Sequence, residues 1–537
     1  MALHALLDRA AEEYPGRTAI IFRNWKMSYA ALRARAEAMA AALRRLGLKR
    51  GERVSVMLPN LPQTIITFWA ILKAGGVVVM TNPLYMESEL THQLGDADCR
   101  IMVTLDHLWP RIAPLRNRLP VEKFIITRVS DCLGFPLNLL YRFKAQRDGL
   151  PRDVPLDNRT VLAWKELARG RERVNEPVAD PLGELALLQY TGGTTGVSKG
   201  VMLTHANMVA NVRQCHAMLH DLGRRPEVFL GLPPYFHVYG LTVCLLLGTA
   251  VAATMLPFPR YVPQDLLDAI EKLRPTIFPG APSVYISLMQ QKGIADRDLS
   301  SLTYCVSGSA PMPVEILRRF EEKTGAIIAE GYGLTEASPV THLNPLHGER
   351  KVGGIGLPLP GTEARIVDME VGSIPLPPGK VGELVIRGPQ VMRGYWNRPD
   401  ETAGALRNGW LYTGDIAVMD EQGYFTIVDR KKDMVIIGGY NVYPREIDEV
   451  LHTHPKVLEA VCVGMSHPTR GESLKAFVVV KPGEELTRPE VIAWCRQKLA
   501  NYKVPRQVEF RDDLPKSIVG KVLRRALKEE EDRKQTD

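Results

Sequence analysis

Seven cysteines are spread through 537 residues, and no two of them form a C-x-x-C pair. That scarcity excludes a disulfide scaffold and leaves no spacing for a zinc site, so the thiols read as reduced and the chain as cytoplasmic. No secretory leader is expected either, since Met1-Ala2-Leu3-His4 runs straight into an amphipathic helical pattern. Internal repeats and low-complexity tracts are missing. No basic stretch is interleaved with aromatics, so nucleic acid is not an expected partner. One uncharged run, Val238 to Phe258, has the length to span a bilayer. Gly248-Thr249 interrupts it, and Val251 to Leu256 is strand-like, so it reads as a buried helix followed by a buried strand.

What is present is ordinary for a globular protein: 45% hydrophobic residues and 24% charged. The length exceeds what one core can organise, so two or more domains are expected. The net charge is +8, and it is uneven: Arg111 to Arg173 holds fourteen Lys/Arg against seven Asp/Glu. Inside that region, residues 133–144 (Leu-Gly-Phe-Pro-Leu-Asn-Leu-Leu-Tyr-Arg-Phe-Lys) are apolar and basic together. Two readings stand: a solvated insertion, or a surface that touches anionic lipid.

The most informative run is Tyr190-Thr191-Gly192-Gly193-Thr194-Thr195-Gly196-Val197-Ser198-Lys199-Gly200. An apolar strand, Leu185 to Leu188, leads in, and a helical pattern from His205 follows, so the run is expected as a loop between strand and helix. Its glycines let backbone N–H groups approach an anion, its hydroxyls donate, and Lys199 adds positive charge. This is chemistry for a polyphosphate. It is not a P-loop: the G-x-x-x-x-G spacing is absent, and Gly200 follows the lysine where Ser or Thr would stand.

The first hundred residues alternate helix and strand: a helix over Tyr29–Leu46, a strand over Val54–Leu58, a helix over Thr64–Lys73, a strand over Val77–Met80. That order predicts a parallel sheet covered by helices. Further along, Tyr235-Phe236-His237-Val238-Tyr239-Gly240 places a histidine among aromatics, where a lone His is ordinarily a packed core residue. Gly308-Ser309-Ala310 follows the strand from Tyr304 and offers bare backbone to a flat ring. Gly331-Tyr332-Gly333-Leu334-Thr335-Glu336 sets an aromatic between glycines, then a hydroxyl and a carboxylate that suits Mg²⁺. Asp415 can accept two hydrogen bonds from vicinal hydroxyls, as a ribose offers, and Arg430 can add a contact. Beyond Lys431-Lys432-Asp433 the pattern becomes a small α+β unit, and the polar tail from Lys528 to Asp537 is expected to fray.

The order and combination of these runs, with Lys516-Ser517-Ile518-Val519-Gly520-Lys521 near the end, resemble the adenylate-forming superfamily. The stretch from Asn408 to Tyr440 is similar to the signature of fatty acyl-CoA synthetases. The resemblance implies an α/β fold: a large N-terminal domain of layered α/β sheets with a distorted β-barrel subdomain (1–431), and a small mobile α+β domain (432–537) turning about a hinge at Lys432. It also implies ATP, Mg²⁺ and coenzyme A as cofactors, with a fatty acid as substrate.

By the same resemblance, Thr191, Gly192, Gly193, Thr194, Thr195, Gly196 and Lys199 hold phosphates. Gly308, Ser309 and Ala310 take the adenine, and Tyr332, between Gly331 and Gly333, stacks beside it. Asp415 and Arg430 take the ribose, Thr335 contacts phosphate, and Glu336 binds the metal. Lys521 is the catalytic lysine of acyl-AMP formation. Tyr235, His237 and Gly240 line the acyl tunnel, and Gly438, Gly439 and Tyr440 the path of coenzyme A. A medium-chain or aryl-CoA ligase, an acyl-AMP ligase loading a carrier protein, and a catalytically silent lipid-binding protein are the competing readings. Peripheral contact with a membrane and a homodimer are both compatible with the sequence.

Overall fold

The computed structural model describes residues 1–147, 149, 154–191, 198–219, 221–310, 312–437, 440–467, 471–517 and 522–536. Its centre is set by an apolar helix. Pro62–Lys73 carries Ile65, Ile66, Phe68, Trp69, Ile71 and Leu72, and every one of its residues is buried. A helix that is hydrophobic all round belongs between layers. Its proline costs no hydrogen bond, because a first-turn N–H has no partner inside a helix. Lys73 is wholly buried and is matched by Asp8 and Glu37, without which a charge at that depth would cost several kcal/mol.

On one side lies an eight-stranded sheet. Its order is Gly394–Tyr395, Lys199–Thr204, Leu185–Thr191, Val77–Met80, Arg53–Met57, Cys99–Leu105, Lys123–Thr127, Val161–Ala163. From Leu185–Thr191 outward to Val161–Ala163 all pairings are parallel, as the helix–strand alternation predicts. A nine-stranded sheet lies beside it. Its parallel core is Thr254–Pro257, Val228–Gly231, Ile277–Gly280, Tyr304–Ser307 and Ile327–Gly333, continued antiparallel by Val340–Leu343. The place of the expected barrel subdomain is taken by five antiparallel strands: Glu363–Val367, Val381–Arg387, Leu406–Arg407, Trp410–Met419 and Phe425–Arg430. One buried cluster joins all three sheets, through Val54 and Leu187, Phe229 and Ile277, and Ile366 and Ile427.

From Val435 a separate sheet begins, formed by Val435–Ile437, Tyr440–Val442, Val457–His467, Gly471–Val480 and Gln507–Phe510. It has its own core, with Val435, Ile447, Leu451, Ala476 and Val508 among its buried residues. Asp429, 2% exposed, reaches into this unit from the strand before it. Its carboxylate accepts from the Arg445 N–H (2.8 Å), in the first turn of the helix Pro444–His452, and lies 3.4 Å from the Arg524 guanidinium.

Three sequence expectations need correction. Helix His205–Met218 does not follow the Gly/Thr run directly; the strand Lys199–Thr204 intervenes and pairs back antiparallel on Leu185–Thr191. The run after Val238 does form a helix and then a strand, but the strand is only Thr254–Pro257, and the helix opens as a wide π-type turn over Gly240–Leu246. The C-terminal tail is helical over Arg524–Thr536. Composition hid the reason: Glu531, 5% exposed, is paired with Lys475 (2.5 Å), Glu530 with Arg511 (2.6 Å), and Leu527 is buried. Paired and desolvated charges hold a helix that its polar sequence alone would not. No helix among the described residues is long and apolar enough to cross a membrane.

Candidate active site between the sheets

The two antiparallel strands bring Thr191 and Lys199 opposite each other at the end where the chain passes from one strand to the other. Gly192, Gly193, Thr194, Thr195 and Gly196 lie outside the described residues. The hairpin's base is fastened on several sides. Tyr190 OH donates to Asp96 (2.6 Å), Trp396 Nε1–H donates to the Asp96 carbonyl (3.0 Å), and His92 Nε2 is 2.8 Å from the Ser198 carbonyl. Lys199 Nζ lies 3.9 Å from Glu401 and 5.1 Å from the centre of the Tyr395 ring.

The adenine candidates leave neighbouring strands of the nine-stranded sheet. Tyr304–Ser307 and Ile327–Gly333 run parallel with Ser307 opposite Glu330, so Gly308-Ser309-Ala310 and Gly331-Tyr332-Gly333 emerge at the same edge. Gly308 meets the ring of Tyr239: a Cβ there would stand 3.2 Å from Tyr239 Cζ, and the Tyr239 hydroxyl donates to the Val306 carbonyl (2.8 Å). At Gly333 a Cβ would fall 2.2 Å from the Pro339 carbonyl oxygen, which leaves room for glycine alone.

Tyr332 closes the gap to the antiparallel sheet, its OH donating to Asp415 Oδ2 at 2.6 Å. Asp415 and Arg430 are register partners on adjacent strands, with Arg430 Nε 3.4 Å from Asp415 Oδ1. Burial, and then the Asp415 carboxylate, push the Tyr332 phenol well above its ordinary pKa, so it is a donor throughout the physiological range. Three candidates separated by up to 98 residues therefore meet. Asp415 keeps acceptor capacity, because two oxygens offer about four lone-pair sites.

Thr335 and Glu336 sit in the turn that follows. Tyr395 OH donates to Glu336 Oε1 (2.8 Å), and the Met392 N–H donates to the Glu336 carbonyl (2.8 Å). Glu336 Oε2 has no partner among the described residues. A half-buried carboxylate with one oxygen oriented and the other open, beside a hydroxyl, is an all-oxygen donor set of the kind Mg²⁺ takes, so these residues fit that ion.

The tunnel candidates lie at the wide turn. Tyr235 is fully buried, and its N–H donates to Asn60 Oδ1 (2.7 Å), while Asn60 Nδ2 donates to the Gly231 and Pro233 carbonyls. His237 Nδ1 is 3.3 Å from the Tyr239 N–H. Gly240 is fixed by close approach, since a Cβ would be 2.3 Å from the Pro234 oxygen. Tyr239 thus links the histidine turn to the Gly308 turn. Lys521, Gly438 and Gly439 lie outside the described residues. Tyr440 begins a strand, paired through its backbone with Ile437, and Lys432 is exposed in the turn after Arg430.

Sequence reasoning missed Asn60, Asp96, Tyr239 and Tyr395. For Tyr395 a signal existed: Gly394-Tyr395-Trp396, an aromatic pair after glycine in a polar stretch. For Asn60 and Asp96 no local pattern marks them, because each works on groups far away in the sequence, Asn60 on the backbone of Gly231 to Tyr235 and Asp96 on the side chains of Tyr190 and Trp396.

The chain matches the AMP-binding enzyme family over residues 7–396, and the AMP-binding enzyme C-terminal domain over 446–521. It is 46% identical, over 530 residues, to a long-chain-fatty-acid–CoA ligase of Bacillus subtilis (strain 168), covering 98% of this chain and 94% of that protein. A long-chain-fatty-acid–CoA ligase of Escherichia coli O157:H7 is 40% identical over 534 residues, with 98% and 94% covered. Among solved structures, ATP-bound MatB from Rhodopseudomonas palustris superposes with a TM-score of 0.87 at 30% identity, over 99% of each chain; the apo form of that protein gives 0.77. The anthranilate CoA ligase AuaEII in complex with anthranoyl-AMP gives 0.87 at 26% identity, over 100% of this chain and 98% of that one. With the motifs in their expected order on this fold, the chain belongs to the AMP-binding enzyme family, among its long-chain-fatty-acid–CoA ligases.

Proposed function

We propose that the chain activates a long-chain fatty acid with ATP, forming acyl-AMP and pyrophosphate, and then passes the acyl group to coenzyme A with release of AMP. The observation that carries this is the meeting of Tyr332, Asp415 and Arg430 across two sheets, with Thr335 and Glu336 on the turn that follows and Lys199 at the start of a strand of the third.

In the first step a carboxylate oxygen of the acid attacks the α-phosphorus, the bond from the α-phosphorus to the α,β-bridging oxygen breaks, and pyrophosphate leaves with that oxygen. Both reactants are anions, so the site must supply donors and positive charge to the non-bridging oxygens. Asp415 and Arg430 orient the ribose, and Gly308 to Ala310 with Tyr332 hold the adenine. Lys199, Thr191, Thr194 and Thr195, with the backbone of Gly192, Gly193 and Gly196, hold the departing phosphates. Thr335 and Lys521 meet the α-phosphate. Mg²⁺, held by Glu336, supplies further charge neutralisation when bound. The acyl chain extends past Tyr235, His237 and Gly240.

In the second step the unit from 432 to 537 turns about Lys432, which withdraws Lys521 and brings Gly438, Gly439 and Tyr440 to the site. The coenzyme A thiol sulfur attacks the acyl carbonyl, its proton is lost, and AMP leaves. Opposed demands on one site are met by exchanging its lid.

A panel of acids tests the reading: acetate, octanoate, palmitate, oleate, coumarate and amino acids, each with ATP and Mg²⁺, with and without coenzyme A. AMP release should depend on coenzyme A and be greatest with palmitate or oleate. Preference for an aryl or amino acid, or release indifferent to coenzyme A, would move the chain to another branch of the family.

Contact with a membrane belongs to the same reading. Helix Leu137–Arg147 and the residues before it expose Phe135 (79%), Leu140 (55%) and Phe143 (69%) alongside Lys144 and Arg147. Asn24 fixes their approach: its side chain donates to the Gly134 carbonyl (3.0 Å) and accepts from the Gly134 N–H (2.9 Å). Aromatic and aliphatic groups in water beside cations fit an anionic lipid surface. The wild-type chain should co-sediment with phosphatidylglycerol vesicles and lose most of that binding when Phe135, Leu140 and Phe143 are all changed to serine. Binding should also weaken as salt is raised. Vesicle binding unchanged by the triple substitution would refute the assignment, as would a dimer abolished by it in a protein that ignores vesicles.

A further inference from the structure

Lys199 and Glu336 arise from different sheets, and one side chain touches both. Tyr395 OH donates to Glu336 Oε1 at 2.8 Å, and Lys199 Nζ lies 5.1 Å from the centre of the same ring. No ion pair joins Lys199 to Glu336 directly among the described residues. The tyrosine engages each by a different part of its ring, the hydroxyl toward the anion and the π-system toward the cation.

The backbone around Tyr395 forms a strap across the hairpin. Gly394–Tyr395 pairs antiparallel with Lys199–Thr204, with Tyr395 opposite Val201. The Trp396 N–H donates to the Gly200 carbonyl (2.7 Å), the Arg393 N–H to the Met202 carbonyl (3.0 Å), and the Met392 N–H to the Glu336 carbonyl (2.8 Å). Thr402 completes it, accepting the Tyr395 N–H (2.9 Å) and donating its hydroxyl to the Arg398 carbonyl (2.7 Å). At Gly394 a Cβ would stand 2.7 Å from Thr402 Cγ2, so the strap lies close on the helix Pro399–Ala405. A residue fixed on several sides, reaching across to two charged groups, has little freedom of its own.

We propose that Tyr395 is a positioning residue for acyl-AMP formation. It holds the Glu336 carboxylate in one orientation, so that the second oxygen faces the cleft, and it keeps the Lys199 ammonium at a set distance from that carboxylate. The inference rests on the reading of Glu336 as the carboxylate for Mg²⁺ and of Lys199 as a phosphate group's partner. A carboxylate left without its orienting donor samples several side-chain rotamers, and groups that orient a metal ligand typically carry 10–100-fold of the metal affinity.

Two substitutions separate the contacts. Tyr395→Phe keeps the ring face toward Lys199 and removes the hydrogen bond; Tyr395→Leu removes both. The measurement is calorimetric binding of ATP at a series of Mg²⁺ concentrations without any acid, together with AMP binding in the presence of chelator. Tyr395→Phe should raise the Mg²⁺ concentration for half-maximal ATP binding by about tenfold or more, with AMP affinity and thermal midpoint unchanged. Tyr395→Leu should lose ATP affinity further at saturating Mg²⁺. A wild-type Mg²⁺ requirement in Tyr395→Phe overturns the proposal, and so does an equal loss of chelator-insensitive AMP binding, which would mark a general structural role. Glu336→Gln is the reference. If it too leaves the Mg²⁺ requirement unchanged, the reading of Glu336 falls along with this one; if Glu336→Gln shifts it and Tyr395→Phe does not, only the role of Tyr395 is lost.

Discussion

Replacing Lys521 by alanine should slow acyl-AMP formation by roughly 10²–10³-fold, while acyl-AMP supplied from outside is still converted to acyl-CoA at the wild-type rate. The size follows from what the group does. Removing one donor aimed at developing charge in a water-poor site costs roughly that factor, because nothing mobile replaces it within the lifetime of the transition state. The asymmetry follows from the lid exchange. Under the proposed mechanism the turn of the C-terminal unit withdraws the lysine from the reacting atoms, and AMP leaves from an acyl group that needs no further activation by it. The segments flanking Lys521 are held within their own unit: Lys516 bridges to Val522, and Lys516 also pairs with Glu459 (2.8 Å) and Asp513 (2.9 Å). Truncating one side chain there should therefore leave the fold unchanged. Rapid-quench measurement of acyl-AMP, run beside conversion of synthetic acyl-AMP, reads both halves. Equal losses in the two would sink the assignment.

The second large effect is expected at the turn after Arg430. Lys432→Pro should leave acyl-AMP formation largely intact and lower coenzyme A-dependent turnover by about 10²-fold or more, an order-of-magnitude expectation for a conformational step that becomes limiting. Proline fixes φ near −65° and so removes the rotation a hinge would use. The Lys432 N–H gives no hydrogen bond to any described residue, so proline deletes none; the turn is closed instead by the Asp433 and Met434 N–H groups donating to the Arg430 carbonyl (3.0 and 3.2 Å). Proline at this place in a turn also presses on the preceding residue, Lys431. Lys432→Gly is thus the necessary companion: it frees the backbone, removes the side chain, and should preserve both half-reactions. A normal overall rate in Lys432→Pro would falsify the hinge at this position. Loss of thioester formation in both variants would assign the effect to the lysine side chain instead.

Much of this molecule could be read along the chain, and the reason is local. The Leu185 strand, the Pro62 helix and the Tyr304 strand each show their period and their punctuation within a dozen residues. Asp415 and Arg430 were singled out by the resemblance and by what a carboxylate can accept, but that they are register partners on adjacent strands shows only in the fold. The hairpin at Lys199 was not legible as one, since Lys199–Thr204 becomes a strand only by pairing with Leu185–Thr191 and with Gly394–Tyr395, nearly two hundred residues away. The terminal helix was hidden for a related reason. Its stability lies in Lys475 and Arg511, on a strand and loop that precede it, and a polar composition carries no mark of partners that distant.

Asp429 and Arg430 are neighbours on one strand whose side chains answer to different masters. Arg430 faces Asp415, where a ribose is proposed to sit, and Asp429 holds the Arg445 N–H and stands near Arg524 in the C-terminal unit. In the proposed mechanism, occupancy of the nucleotide site and the posture of that unit therefore act on adjacent residues of a single strand. Thermodynamic reciprocity then applies: a nucleotide that binds one posture more tightly than the other must shift the balance of postures by the same factor. ATP and AMP differ in charge and size at the open side of that pocket, so exchanging one for the other is itself a signal that can time the turn.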